Sequence, residues 1–210
     1  MKVNGHPSIA DGWKLNAAVL AGGISSRMGQ EKALLSFRGE PLIARVIHRL
    51  QKVTDEILIV TNNPERFAFL GMRCVRDKAT GTGAMGGLHA ALQEARGELV
   101  AVVACDMPFL SADVLKRAAE VLMNEGVDAV LPCSMEGLEP LHAVYRRSTC
   151  LPVLEEAVAR GERRLVSFLP FVRVRELMLA EMEPVDPYGR AFINVNTPEE
   201  WRIAEKICDE

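Results

Sequence analysis

Three stretches of the sequence place side chains at spacings that could do chemistry, and each follows an apolar run. Residues 20–32, LAGGISSRMGQEK, combine Gly22, Gly23 and Gly29 with Arg27 and Lys32. Glycines permit positive φ and expose successive N–H groups as a concavity for an anion, to which the two cations add. That set suits a polyphosphate. It is not a Walker A loop, because five residues separate Gly23 from Gly29 and Gln30 stands where the lysine belongs. A tight strand-to-helix turn with two solvated basic residues is the plainer alternative.

In the second stretch, the apolar run ELVAVVAC leads straight into Asp106, Met107 and Pro108. A strand of that kind projects a carboxylate into the crevice beyond its carboxyl end, where magnesium is held by one or two carboxylates together with phosphate oxygens. Asp106 is therefore the candidate metal ligand; the alternative is that it caps the turn before Ser111. The third stretch, residues 77–88, DKATGTGAMGGL, contains Gly81-x-Gly83-x-x-Gly86. This pattern matches a dinucleotide fingerprint, yet five residues separate the preceding strand from the first glycine, whereas that fingerprint turns tightly out of its strand. It reads as a loop over a ligand. His142 in EPLHAVY reads as a structural histidine, His48 and His89 as packing or surface residues, and Glu162-Arg163-Arg164 as a solvated helix end.

The elements that position these residues alternate. Apolar runs at 15–21, 55–60, 72–75, 98–106 and 127–133 read as buried strands. Between them, residues 42–53, 64–70, 87–95 and 112–125 read as helical segments, the last with Ser111 as N-cap and Gly126 as stop. The expected fold is α/β, doubly wound, with a mostly parallel sheet and helices on both faces. Ligands of such sheets sit beyond the carboxyl ends of the strands. Toward the C-terminus, 138–145 reads as a strand, 151–160 as a helix, 191–195 as a short strand, and Thr197-Pro198-Glu199-Glu200 as a helix start. Alternation in the 191–195 strand puts Asn194 and Asn196 on one face, where uncharged amides could meet a phosphate or metal-bound water; capping of the last helix is the alternative.

Composition limits the rest. At 210 residues, 49% hydrophobic and 25% charged, the chain suits one globular domain over 15–210, with 1–14 expected as a loose tail. A net charge of −3 excludes a broad basic field for nucleic acid. The five cysteines, Cys74, Cys105, Cys133, Cys150 and Cys208, contain no C-x-x-C pair and read as small hydrophobes rather than disulfides or a zinc site. With no signal-like segment and no apolar stretch long enough for a membrane span, a cytoplasmic protein is expected.

Taken in order, LAGGxSxRMGxxK at 20–32, the Asp77 loop ending in GGLHAAL, CDMPFL at 105–110, EPLHAVYRR at 139–147, GERR at 161–164 and FINVNTPEE at 192–200 carry a resemblance. The chain resembles the molybdenum cofactor guanylyltransferases, nucleotidyltransferases with the Rossmann-like fold of nucleotide-diphospho-sugar transferases. The resemblance implies transfer of GMP from GTP, with magnesium (Mg2+), to the phosphate of molybdenum-bearing molybdopterin, with release of pyrophosphate. It further implies that Leu20, Ala21 and Gly22 meet the guanine and ribose side, Lys32 the phosphates, Gly23 and Asp77 the nucleotide, and Asp106 the magnesium. Where relatives often carry asparagine directly after the second strand, this chain has Thr61 and then Asn62, which leaves that contact open by one position. Arg27, Lys32 and Asp106 are the expected catalytic groups, and Arg27, Asn194 and Asn196 the expected acceptor contacts. Transient contact with other cofactor-biosynthesis proteins or acceptor apoenzymes would fit the same role. Two alternatives remain at this point: a CMP- or sugar-phosphate nucleotidyltransferase of the same fold, and a non-catalytic nucleotide or pterin carrier.

Overall fold

The computed structural model describes residues 14–22, 31–54, 56–77 and 82–208. Its strands are β1 (Leu15–Leu20), β2 (Ser36–Phe37), β3 (Glu40–Pro41), β4 (Ile57–Val60), β5 (Arg73–Val75), β6 (Leu99–Ala104), β7 (Ala129–Ser134), β8 (Gly137–Leu138), β9 (His142–Arg146) and β10 (Val174–Leu177). The helices are α1 (Leu42–Leu50), α2 (Ala84–Glu94), α3 (Ala112–Glu125), α4 (Arg147–Ala159), α5 (Leu179–Met182) and α6 (Pro198–Lys206). The main sheet runs β10-β7-β9-β6-β1-β4-β5, with β8 attached to β7 as a hairpin. All pairings along that order are parallel except those of β9, which lies antiparallel between β6 and β7.

Strand periodicity builds two cores from one sheet. In β1 and the residue after it, Ala17, Val19 and Ala21 join a core with α1 and α3 residues such as Ile43, Val46, Leu115 and Leu122. Ala18 and Leu20 face the other way, onto Met85, Leu88 and Leu92 of α2 and Leu154 of α4. Side chains that alternate across a pleated strand cover both faces only when both faces are buried, which is why these strands read as continuous apolar runs. The chain passes from β1 to β4 and β5 on one side, then returns to place β6 on the other, so the topology reverses beside β1. The carboxyl ends of β1 and β6 flank that switch point.

Helix ends follow their local chemistry. Ser111 Oγ accepts from Val114 N at 3.2 Å to start α3, and Gly126 stops it at φ 65°, a left-handed turn that glycine adopts without Cβ strain. Thr197 and Glu200 form a capping box on α6, with Pro198 in its first turn. Several expected elements change. Residues 64–70 form a 3-10 turn rather than an α-helix; α4 starts at Arg147, four residues before the expected 151, and contains Pro152; and the expected strand at 138–145 divides into β8 and β9.

His142 opens β9 and is fully buried, its ring edge-on to Phe192 at 5.1 Å between centroids. Neither ring nitrogen has a hydrogen-bond partner of good geometry among the described residues. Desolvation lowers its pKa from 6.5 to about 4, opposed by the backbone of Ser111 and Ala191 beside the ring. The native state therefore refuses a proton that the unfolded chain accepts. The stability gained from a neutral His142 is complete above pH 6.5 and is lost as pH falls toward 4, by about 3 kcal/mol in all. Denaturant unfolding at pH 7.5 and pH 4.5 is expected to show that extra loss in the parent and not in His142→Gln; parallel losses in the two proteins would refute it.

Candidate active site

The carboxyl end of β1 leads into the crevice. Leu20 and Ala21 bury their side chains in opposite cores, which leaves only their backbone free to meet a ligand. Gly22 is exposed, and a Cβ built there meets nothing within 4 Å. Gly23 and Arg27 lie outside the described residues. Glu31 is the next described residue, and a 3-10 turn at Lys32–Leu34 sets Lys32 over the end of the sheet.

There Lys32 meets the end of β6. Its Nζ lies 2.7 Å from Asp106 Oδ2, and the two side chains are only 13% and 19% exposed. Asp106 Oδ1 is buried and has no hydrogen-bond partner among the described residues. A carboxylate with one oxygen on an ammonium and the other unmatched is suited to a cation, because a buried acceptor without a partner is costly. The loop after Asp106 is held from outside the sheet: Arg45 Nε donates to Pro108 O at 2.9 Å, and Arg49 Nη1 to Leu110 O at 3.2 Å. Arg45 is a positioning group that the sequence reading missed, and its signal was an arginine among the apolar residues of α1. Cys105, half-buried by surface but densely surrounded, has its thiol pushed up to about 12 by desolvation, with Asp106 adding to the shift and Lys32 opposing it. It stays a thiol at neutral pH and offers no nucleophile.

A third side chain comes from the C-terminal segment. Asn196 Oδ1 accepts from Lys32 Nζ at 2.5 Å, and Val195 N donates to Asp106 O at 3.0 Å, which ties the segment to the same loop. The expected strand at 191–195 is instead a 3-10 turn at Arg190–Phe192 followed by extended but unpaired chain. Asn194 and Asn196 accordingly do not meet the same groups: Asn194 Nδ2 donates to Phe192 O at 3.2 Å, and only Asn196 reaches the cluster. Neither asparagine caps α6, since Thr197 does so.

Two further loops border the crevice. After β4, Thr61 is buried and its Oγ1 accepts from Asn63 N at 3.2 Å, whereas Asn62 is exposed. After β5, Asp77 lies over the start of α2. A Cβ added to Gly86 would come within 2.2 Å of Thr82 Oγ1 and 2.5 Å of an Asp77 carboxylate oxygen, and one on Gly87 within 3.1 Å of Leu20 Cδ1. The paired glycines of GGL thus serve contact: Gly86 admits Asp77 and Thr82, and Gly87 lets α2 rest on the end of β1. No dinucleotide fingerprint is needed to explain them. Among the described residues, no three His, Cys, Asp or Glu side chains converge as a metal cluster. No helix there is long and apolar enough to cross a membrane.

Comparison with known proteins adds the family. Residues 17–175 match the MobA-like NTP transferase domain. A protein of Pelotomaculum thermopropionicum named as a probable molybdenum cofactor guanylyltransferase is 38% identical over 191 residues, covering 91% of this chain and 92% of its own. The chain belongs to the molybdenum cofactor guanylyltransferase family. A Nostoc relative of the same name is 37% identical over 201 residues, covering 93% of each chain. The crystal structure of molybdopterin-guanine dinucleotide biosynthesis protein A from Archaeoglobus fulgidus superposes with a TM-score of 0.80 at 29% identity, over 92% of this chain and 98% of that one. At 15% identity, the 4-diphosphocytidyl-2C-methyl-D-erythritol synthase of Anaerococcus prevotii has a TM-score of 0.69 and shares the fold. This guanylyltransferase is a nucleotidyltransferase whose Lys32, Asp106 and Asn196 meet at the switch point of its sheet.

Gly86→Ala is expected to displace Asp77 and Thr82 from the start of α2 and to weaken nucleotide binding by about tenfold, more than it lowers Tm. Titration with GTP checks this, and unchanged affinity would show that the packing of Asp77 does not shape the nucleotide site.

Proposed function

We propose that guanylyl transfer takes place at the Lys32, Asp106 and Asn196 cluster, with GTP as donor, magnesium as metal and the phosphate of molybdenum-bearing molybdopterin as acceptor. The observation that carries this reading is the Asp106 carboxylate, with one oxygen on Lys32 Nζ at 2.7 Å and the other buried without a partner. One carboxylate is enough for magnesium when substrate phosphates supply the other ligands, and Asp106 is the residue that would hold it. Bound there, the ion would neutralise charge on the phosphates.

The chain's own residues supply position and charge. An oxygen of the acceptor phosphate attacks the α-phosphorus of GTP, a new P–O bond forms, and the bond to the bridging oxygen breaks, so pyrophosphate leaves with the electron pair. Lys32 places a positive charge against the phosphates as their charge redistributes. The attacking oxygen is already anionic near neutral pH, so no general base is required, and the uncharged His142 and the protonated Cys105 are not missed. Asn196 holds Lys32 through its carbonyl and adds no negative charge beside an anionic acceptor. On the base side we assign Asn62, because Thr61 is turned into the fold. Leu20, Ala21 and Gly22 contribute backbone there, and Asp77 stands over the start of α2 beside Gly86. Gly23 and Arg27 are assigned to the phosphates from the glycine and cation pattern alone.

Asp106→Asn is expected to reduce turnover at least about a hundredfold with an intact melting transition. Product formation followed by mass checks it, and near-parental turnover in magnesium would remove Asp106 from the site. In the same assay GTP is expected to be used well ahead of CTP or ATP, since a base site rejects analogues that leave buried polar groups unmatched. Equal turnover of CTP would eliminate the guanine assignment.

A further inference from the structure

Glu31 is a carboxylate where simple electrostatics argues against one. It directly precedes Lys32, is only 8% exposed, and lies near enough for its charge to be felt at Cys105 beside Asp106. A negative charge next to a phosphate-binding lysine repels an incoming triphosphate. Such a group persists in a buried place when it holds something. Its partner is Arg66, whose Nη1 lies 2.6 Å from Glu31 Oε2, a charge contact that is not directed along an N–H bond.

Arg66 belongs to a different loop. It sits in the 3-10 turn at Pro64–Leu70, its N donates to Asn63 O at 3.1 Å, and Asn63 N donates in turn to Thr61 Oγ1 at 3.2 Å. Glu31 O accepts from Leu34 N at 3.0 Å and so anchors the turn that carries Lys32. The pair therefore cross-links the segment after β1 to the segment after β4. These are the phosphate side and the base side of the proposed nucleotide site.

We propose that the Glu31–Arg66 ion pair is a positioning element that fixes Lys32 relative to the Asn62 loop, so that base and phosphates of one nucleotide are met at the correct separation. The inference rests on the reading of Lys32 as a phosphate contact. Its force is a difference of sign. If Glu31 acted only through its charge, removing that charge would tighten nucleotide binding; if it positions Lys32, the same change loosens binding.

GTP titration of the full chain with magnesium decides between the two. Glu31→Gln and Arg66→Gln are each expected to weaken GTP by about fivefold or more, and the double variant no more than the weaker-binding single, because the two act as one unit. In a Lys32→Ala background neither change is expected to weaken GTP further, an outcome that a merely structural role would not produce. Tighter or unchanged binding by Glu31→Gln, multiplied losses in the double variant, or full losses in the Lys32→Ala background would each overturn the proposal. Arg66 is half-exposed, so Arg66→Gln in the two backgrounds carries the test alone if Glu31→Gln does not fold. Lys32→Ala that binds GTP like the parent would remove both the Lys32 reading and the proposal, whereas loss in Lys32→Ala with silent Glu31 and Arg66 variants would remove the proposal alone.

Discussion

The 2.7 Å contact between Lys32 and Asp106 joins residues 74 positions apart, and most of the architecture can be understood as what makes that contact possible. A partly buried ammonium and carboxylate are each costly alone and tolerable together. Their meeting requires β1 and β6 to be parallel neighbours, with Leu20 opposite Ala104, so that the two chains leave the sheet at the same height. It also requires the turn at Lys32–Leu34 to bring the chain back, and Arg45 and Arg49 of α1 to hold the loop after Asp106. The C-terminal segment then closes the cluster through Asn196 and through Val195 N on Asp106 O.

This arrangement separates stability from chemistry. The two cores lie on the faces of the sheet and contain the side chains of Leu20 and Ala21, while the polar groups stand beyond the strand ends. Close packing is spent where loops must approach. Gly87 lets α2 rest against Leu20, and Gly86 makes room for Asp77 and Thr82. A third apolar cluster, of Phe37, Phe109, Val195 and Ala204 with Trp201 packed against it, fastens α6 and the β2–β3 hairpin to the loop that bears Asp106. The site is thereby supported from three elements that are remote from one another in sequence.

Much of the fold was legible because its signals are local. Buried parallel strands read as short apolar runs, and Ser111, Gly126 and Thr197 mark their helices by side-chain or backbone chemistry. Lys32 was legible as a cation of the glycine loop and Asp106 as a carboxylate at a strand end, although nothing in the spacing says that they touch. Asn196 was found through a strand that does not form; its side chain reaches Lys32 because Val195 is pinned to the Asp106 loop, a long-range hydrogen bond that alternation cannot foresee. The antiparallel entry of β9 and the Glu31–Arg66 pair were invisible for the same reason: each depends on which loops the sheet order brings together.

The proposed roles of Lys32 on the phosphates and of Asp106 on magnesium require the pair to open when the nucleotide binds. A structure determined with GTP and magnesium tests this most directly. The account predicts triphosphate oxygens on Lys32 Nζ, a cation on the Asp106 carboxylate and the 2.7 Å pair opened. An intact pair, with the triphosphate bound elsewhere, would contradict it.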